Sequence, residues 1–145
     1  MKKLIVALAG LMICGVSAEA QKKPALKPKT TAAPTALIAQ GKAVYTETCL
    51  SCHQADGGGV DGMNPPLIKT SYVLGDKTRI VKVVLNGLQG VDIDGEEYNN
   101  AMPSYDFLTD QQVAAVLTYV RNSFGNKATA ISAAEVKAIR AANKK

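Results

Sequence analysis

Cys49-Leu50-Ser51-Cys52-His53 sets two thiols and an imidazole within one short stretch of chain. On a helical turn, positions three apart share a face, so both sulfurs can meet one partner while the next residue reaches past them. This C-x-x-C-H order suits covalent attachment of a c-type haem, with the thiols bonded to the two vinyl carbons and the histidine on the iron. Two other chemistries use a C-x-x-C pair. A zinc site needs four ligands, and once Cys14 is removed with the leader described below, the chain offers Cys49, Cys52 and His53 as its only such N and S donors. A thioredoxin-like redox pair follows a strand in a β-α-β setting, whereas a helical pattern precedes Cys49. His53, the single histidine of the chain, is therefore read as the proximal ligand.

A second axial ligand has to come from the far side of the ring. Outside the leader the chain has two methionines, Met63 and Met102. Met63 stands ten residues after His53, in a loop that must first leave the proximal face. Met102 lies in Ala101-Met102-Pro103, much further along, just before a well-capped helix. Its thioether is a soft ligand suited to iron, and His/Met ligation raises a haem's reduction potential. The competing role for Met102 is that of a flexible filler in the core.

The elements that position these groups sit in the middle of a chain of 145 residues. Lys2 and Lys3, the apolar run Leu4 to Val16 and Ala18-Glu19-Ala20 read as a secretory signal over 1–20, cut before Gln21. The run is short for a membrane span, which needs roughly 20 residues, so no transmembrane helix is expected in the mature chain. Residues 21–36, with Pro24, Pro28, Pro34 and four lysines, read as an extended linker with little to bury. All five Tyr and both Phe fall between Tyr45 and Phe124, so the folded domain is expected over 37–125, and 126–145 as a basic tail with a short helix.

Charge divides along the same boundaries. The chain carries 17 basic and 12 acidic residues, yet residues 37–124 hold six basic against ten acidic side chains, a net of −4. An acidic domain without a basic patch argues against nucleic-acid binding, whatever the overall pI suggests.

Three helices are legible within the domain. Leu37 to Thr48 carries Leu37, Ile38, Val44 and Tyr45, with Gly41 as a place for close backbone approach. Asp76 caps a helix over Lys77 to Leu85 that Gly87 stops. Thr109 and Gln112 form a capping box, with a staple of Leu108 on Val113, for a helix running to about Phe124. Between them the chain is loop-rich. Ile93 and Tyr98 are expected to flank a small hairpin through Asp94-Gly95, and Gly57-Gly58-Gly59 to be a flexible stretch beside the haem. Ser132 and Glu135 form a further capping box ahead of Val136 and Ile139, a short helix that has to dock on the domain or on a partner. Asp92, Asp94 and Glu96 lack the spacing of a calcium loop. So thin a set of helices leaves a core that side chains alone do not fill.

Cys49-x-x-Cys52-His53, Pro65-x-Leu67, Met102-Pro103 and the closing helix with Tyr119 together make residues Leu37 to Gly125 resemble a class I cytochrome c of the small, mono-haem bacterial kind. The resemblance implies an all-α fold of three to four short helices and long loops around one covalently bound haem c. It implies that the first and last helices cross with Gly41 and Tyr45 against Val116 and Tyr119. In that family a proline carbonyl accepts the proximal imidazole's Nδ1 proton; Pro65 matches, and adjacent Pro66 leaves the assignment open by one residue. The lysine-rich haem edge of mitochondrial relatives is missing. The implied function is periplasmic electron transfer by a monomer, not catalysis, between partners such as an oxidase, a reductase, a dehydrogenase or a bc-type complex. The rival readings are a haem protein with an open sixth site that binds gas or peroxide, and a fixed cytochrome subunit of a larger oxidoreductase.

Overall fold

The computed structural model describes residues 35–143, so the leader over 1–20 and nearly all of the linker lie outside the described residues. The first helix, α1 (Thr35–Thr48), begins two residues earlier than the apolar pattern suggests and buries Gly41, Val44 and Tyr45. A one-turn helix, α2 (Leu50–His53), follows directly and carries the second thiol and the imidazole. Another short turn, α3 (Ser71–Leu74), is capped by Thr70. Asp76 caps α4 (Lys77–Asn86), accepting the Arg79 amide at 2.7 Å, and the helix turns Ile80, Val81, Val84 and Leu85 inward.

Strands β1 (Asp92–Ile93) and β2 (Glu96–Glu97) form the expected antiparallel hairpin about Asp94-Gly95. Its register pairs Ile93 with Glu96, so Tyr98 lies beyond the pairing. Both turn residues have positive φ, the geometry that lets a two-residue turn match strand twist.

The last helix of the expected domain, α5 (Asp110–Asn122), has the full capping box of Thr109 and Gln112. It stops two residues short of Phe124. Ser123 takes an extended conformation that ends the helix, and the left-handed Phe124 and Gly125 then turn the chain back. Then α6 (Ala133–Ala142) starts at its own capping box of Ser132 and Glu135.

α1 and α5 form the principal helix pair. A Cβ at Gly41 would overlap the Ala115 carbonyl and the Tyr119 Cβ, so only glycine permits this crossing. The contact falls on Ala115 where Val116 was expected, because backbone fills the space and Val116 is free to face the interior. Tyr45 stacks at a tilt on Tyr119 (5.4 Å between ring centroids) and Phe124 (5.5 Å).

The segment after Gly125 is packed as well. Ile131 and Val136 are completely buried. Lys77 Nζ donates to the Ala130 carbonyl at 2.6 Å and to Glu135 at 2.8 Å, and Arg140 bridges to Asp110 at 2.7 Å. The charge pattern breaks at Gly125, but the packing does not, and α6 docks on α4 and α5. The triple glycine also departs from expectation. A Cβ at Gly57 would strike the Phe124 ring and one at Gly59 the Asn64 and Pro65 backbone, so these are close-packed turns and not slack chain.

Candidate functional site

α1 runs straight into Cys49, whose amide bonds back to the Tyr45 carbonyl at 2.9 Å, and the chain then coils through α2. That continuity places Cys49, Cys52 and His53 on the wall of one cleft. Both cysteines are free thiols and half-buried. Burial raises the Cys49 thiol's pKa, partly offset by a hydrogen bond with Thr48.

His53 is buried, and its Nδ1 lies 3.0 Å from the Pro65 carbonyl oxygen. A carbonyl only accepts, so Nδ1 carries the proton and Nε2 presents its lone pair. Burial lowers the imidazole's pKa and the Pro65 bond raises it in part, with burial prevailing. A neutral imidazole with one orientation fixed by a backbone acceptor is what a metal-ligating histidine requires. Between the two prolines that the sequence leaves open, the observed hydrogen bond is to Pro65. The loop that delivers it is held by Leu67's amide on the Gly57 carbonyl at 2.7 Å and Gly59's amide on the His53 carbonyl at 3.2 Å.

Met102 comes from the other side. Its amide and carbonyl pair with Leu88 at 2.8 and 3.1 Å, an isolated bridge that fixes the loop before α5 against the end of α4. Met102 borders the same two connected lobes of the cleft as Cys49, His53 and Pro65. Met63, at 47% exposure, lines neither. Both lobes open to solvent, and the more apolar one is walled by Leu67, Val73, Ile80, Val84, Val116 and Val120.

Sequence reasoning does not single out Thr48, Leu88, Ile93 or Tyr105, all of which border both lobes. Tyr105 donates its hydroxyl to the Thr48 carbonyl at 2.8 Å, joining the loop after Met102 to the end of α1. An aromatic three residues past Met102 was the one available signal, and it is weak.

The cleft fits a haem on the chemistry of its donors. It offers two unbridged thiols, a neutral imidazole with a free Nε2 and a thioether, set in an apolar hollow with no Lys, Arg, Asp or Glu among the described residues that line it. Among the described residues no cluster of three or more His, Cys, Asp or Glu is placed to hold a bare metal ion.

Comparison with known proteins agrees with this geometry. The family described as Cytochrome c matches residues 38–124. Cytochrome c-552 of Thermus thermophilus is 34% identical over 113 residues, covering 71% of this chain and 86% of that protein. The fructose dehydrogenase cytochrome subunit of Gluconobacter japonicus is 36% identical over 113 residues, which are 72% of this chain but 22% of that subunit. The Cbb3-type cytochrome c oxidase subunit CcoP of an Azospirillum species is 36% identical over 104 residues, 66% of this chain and 32% of the subunit.

Proposed function

The chain belongs to the cytochrome c family, electron carriers with covalently attached haem c, and from that premise we propose that it is a mono-haem periplasmic carrier in which Cys49 and Cys52 tether the haem and His53 and Met102 hold its iron. Bound there, the haem supplies a one-electron ferrous/ferric couple. The chain's own residues supply everything else. Pro65 fixes the His53 ring through Nδ1 and increases its basicity. The Leu88–Met102 bridge sets the position of the thioether. The apolar lobe excludes water, which lowers the local dielectric around the couple.

The observation that carries this reading is the His53–Pro65 bond on one wall of the cleft that Met102 borders too. Periplasmic export rests on the leader read over 1–20. A partner would meet the cleft mouth, where Cys52, Gln89, Gly90 and Asn100 lie. The names of the dehydrogenase and oxidase subunits favour a second setting for the same chemistry, as a cytochrome component docked on a larger oxidoreductase. Co-purification of a partner at high salt would select that setting, and a clean monomer the first.

Covalent tethering is tested by haem staining after denaturing electrophoresis. Wild-type protein matured in the periplasm should keep its haem, and Cys49→Ala with Cys52→Ala should lose it. Retention of the stain in the double variant would refute the tether.

A further inference from the structure

Resting on that reading of His53 as the proximal ligand, we propose that Asn126 is a positioning residue for it, acting through the loop that carries the Pro65 carbonyl. Asn126 lies just past α5, in the segment that the charge pattern assigns to a tail, and is 3% exposed. Its side chain makes three hydrogen bonds of 2.8 Å. The amide nitrogen donates to the carbonyls of Leu67 and Val120, and the amide oxygen accepts from the backbone N–H of Lys69. One buried side chain therefore ties the C-terminal end of α5 to the chain two to four residues beyond Pro65.

The backbone on both sides is shaped for this contact. Phe124 and Gly125 take φ of 57° and 76°, which turns Asn126 inward. Lys69 has a φ of 56°, an unfavourable angle for a side-chain-bearing residue, and its amide is the one that Asn126 accepts. Residues 67–69 belong to neither helix nor strand, and besides the Asn126 contacts their backbone is held by the Leu67 amide on the Gly57 carbonyl. Without the asparagine, a part-buried amide and a part-buried carbonyl of this loop would lose their partners. The loop would then relax where it anchors the acceptor of the His53 proton.

A mere fold-stabilising role and a positioning role separate in their readouts. The test uses full-length holoprotein, wild type against Asn126→Ala, with Val136→Ala in α6 as a variant that lowers stability without touching the loop. In reduced protein, solvent exchange of the His53 Nδ1 proton is followed by NMR, and the midpoint potential by redox titration. Asn126→Ala should speed that exchange about tenfold, the equivalent of one lost buried hydrogen bond, and raise the potential as the imidazole becomes a weaker donor to ferric iron. Val136→Ala should melt earlier with both readouts unmoved. Lys69→Gly, which relieves the left-handed strain, should recover part of the loss in the Asn126→Ala background. If Asn126→Ala yields no folded holoprotein, Asn126→Ser carries the same test with one partner retained. Exchange and potential equal to wild type in a folded variant, or equally disturbed by Val136→Ala, would overturn the proposal. A wild-type protein whose His53 shows no ligation to iron would instead overturn the underlying reading, and this proposal with it.

Discussion

At the scale of the residue, the groups that do the chemistry carry their own signature and their supports do not. The C-x-x-C-H order identifies Cys49, Cys52 and His53 without any knowledge of the fold, because spacing along one helical turn is a local property. That Met102 and not Met63 borders the cleft agrees with their places along the chain, ten residues after His53 for Met63 and just before a capped helix for Met102. Asn126, Tyr105 and Lys69 were not legible, since their value lies in carbonyls and amides far along the chain that no local pattern reports. Tyr105 illustrates the difference. Tyr105→Phe removes the bond to the Thr48 carbonyl and should cost about 1 kcal/mol in denaturant unfolding, with the haem spectrum unchanged. A loss of axial ligation in that variant would mean that the hydroxyl holds the Met102 loop itself. Gly41→Ala is a harsher change. It forces the α1–α5 crossing apart against the Ala115 carbonyl and should destabilise by about 1–3 kcal/mol, the usual range for overpacking.

At the scale of the element, capping chemistry located helices more reliably than apolar periodicity did. Asp76, Thr109 and Ser132 each begin a helix at the residue where the sequence places the cap. The α5 end falls two residues before Phe124 because Phe124 satisfies the apolar pattern while the extended backbone of Ser123 has already ended the helix. Whether α6 would dock was open from sequence, as a ten-residue helix is marginal alone. The structure answers with Ile131 and Val136, both fully buried, and with paired charges at its two ends. That docking is pH-dependent. Burial alone would raise the Glu135 pKa, but hydrogen bonds from Lys77 and Ser132 outweigh it and hold the carboxyl below its usual 4.5. A folded-state pKa below the unfolded one stabilises the fold above the unfolded value and is lost as pH falls through the folded value. The protection of the α6 amides relative to their intrinsic exchange should therefore fall on acidification below about pH 4.5, before that of α1 and α5, and Glu135→Gln should remove that pH dependence. Uniform loosening of all helices would show that α6 has no separate acid response.

At the scale of the whole molecule, charge is segregated in a way that the total hides. The chain has a formal charge of +5, yet no Lys or Arg occurs between residues 43 and 68 or between 83 and 120. The described residues that line the lobe bearing Cys52 all fall in those stretches, which also carry Asp56, Asp61, Asp92, Asp94, Glu96 and Glu97. Encounter rates follow the local field at the docking face more than the net charge. Electron exchange with a small cationic complex such as hexaammineruthenium should slow as salt is added, and exchange with ferricyanide should quicken. The reverse order would show that the basic termini dominate. The all-α architecture, too, was legible from sequence as a shortage: few helices, many loops and a centre left to a cofactor. The structure shows an apolar cleft running from the thiols to Met102. The pattern offered a short helix that had to dock on the domain or on a partner; what it did not convey was the choice between them, because Lys77, Asn126 and Arg140 make their contacts with backbone far along the chain.

The central claim is that His53 and Met102 both hold the haem iron. The most direct measurement is the visible and near-infrared spectrum of the periplasmically matured protein, oxidised and reduced, beside that of Met102→Ala. A low-spin wild-type spectrum with the weak near-red thioether-to-ferric band, absent from the variant, is the expected result. A high-spin wild-type spectrum that shifts on addition of carbon monoxide or peroxide, or a variant that keeps the band, would contradict it.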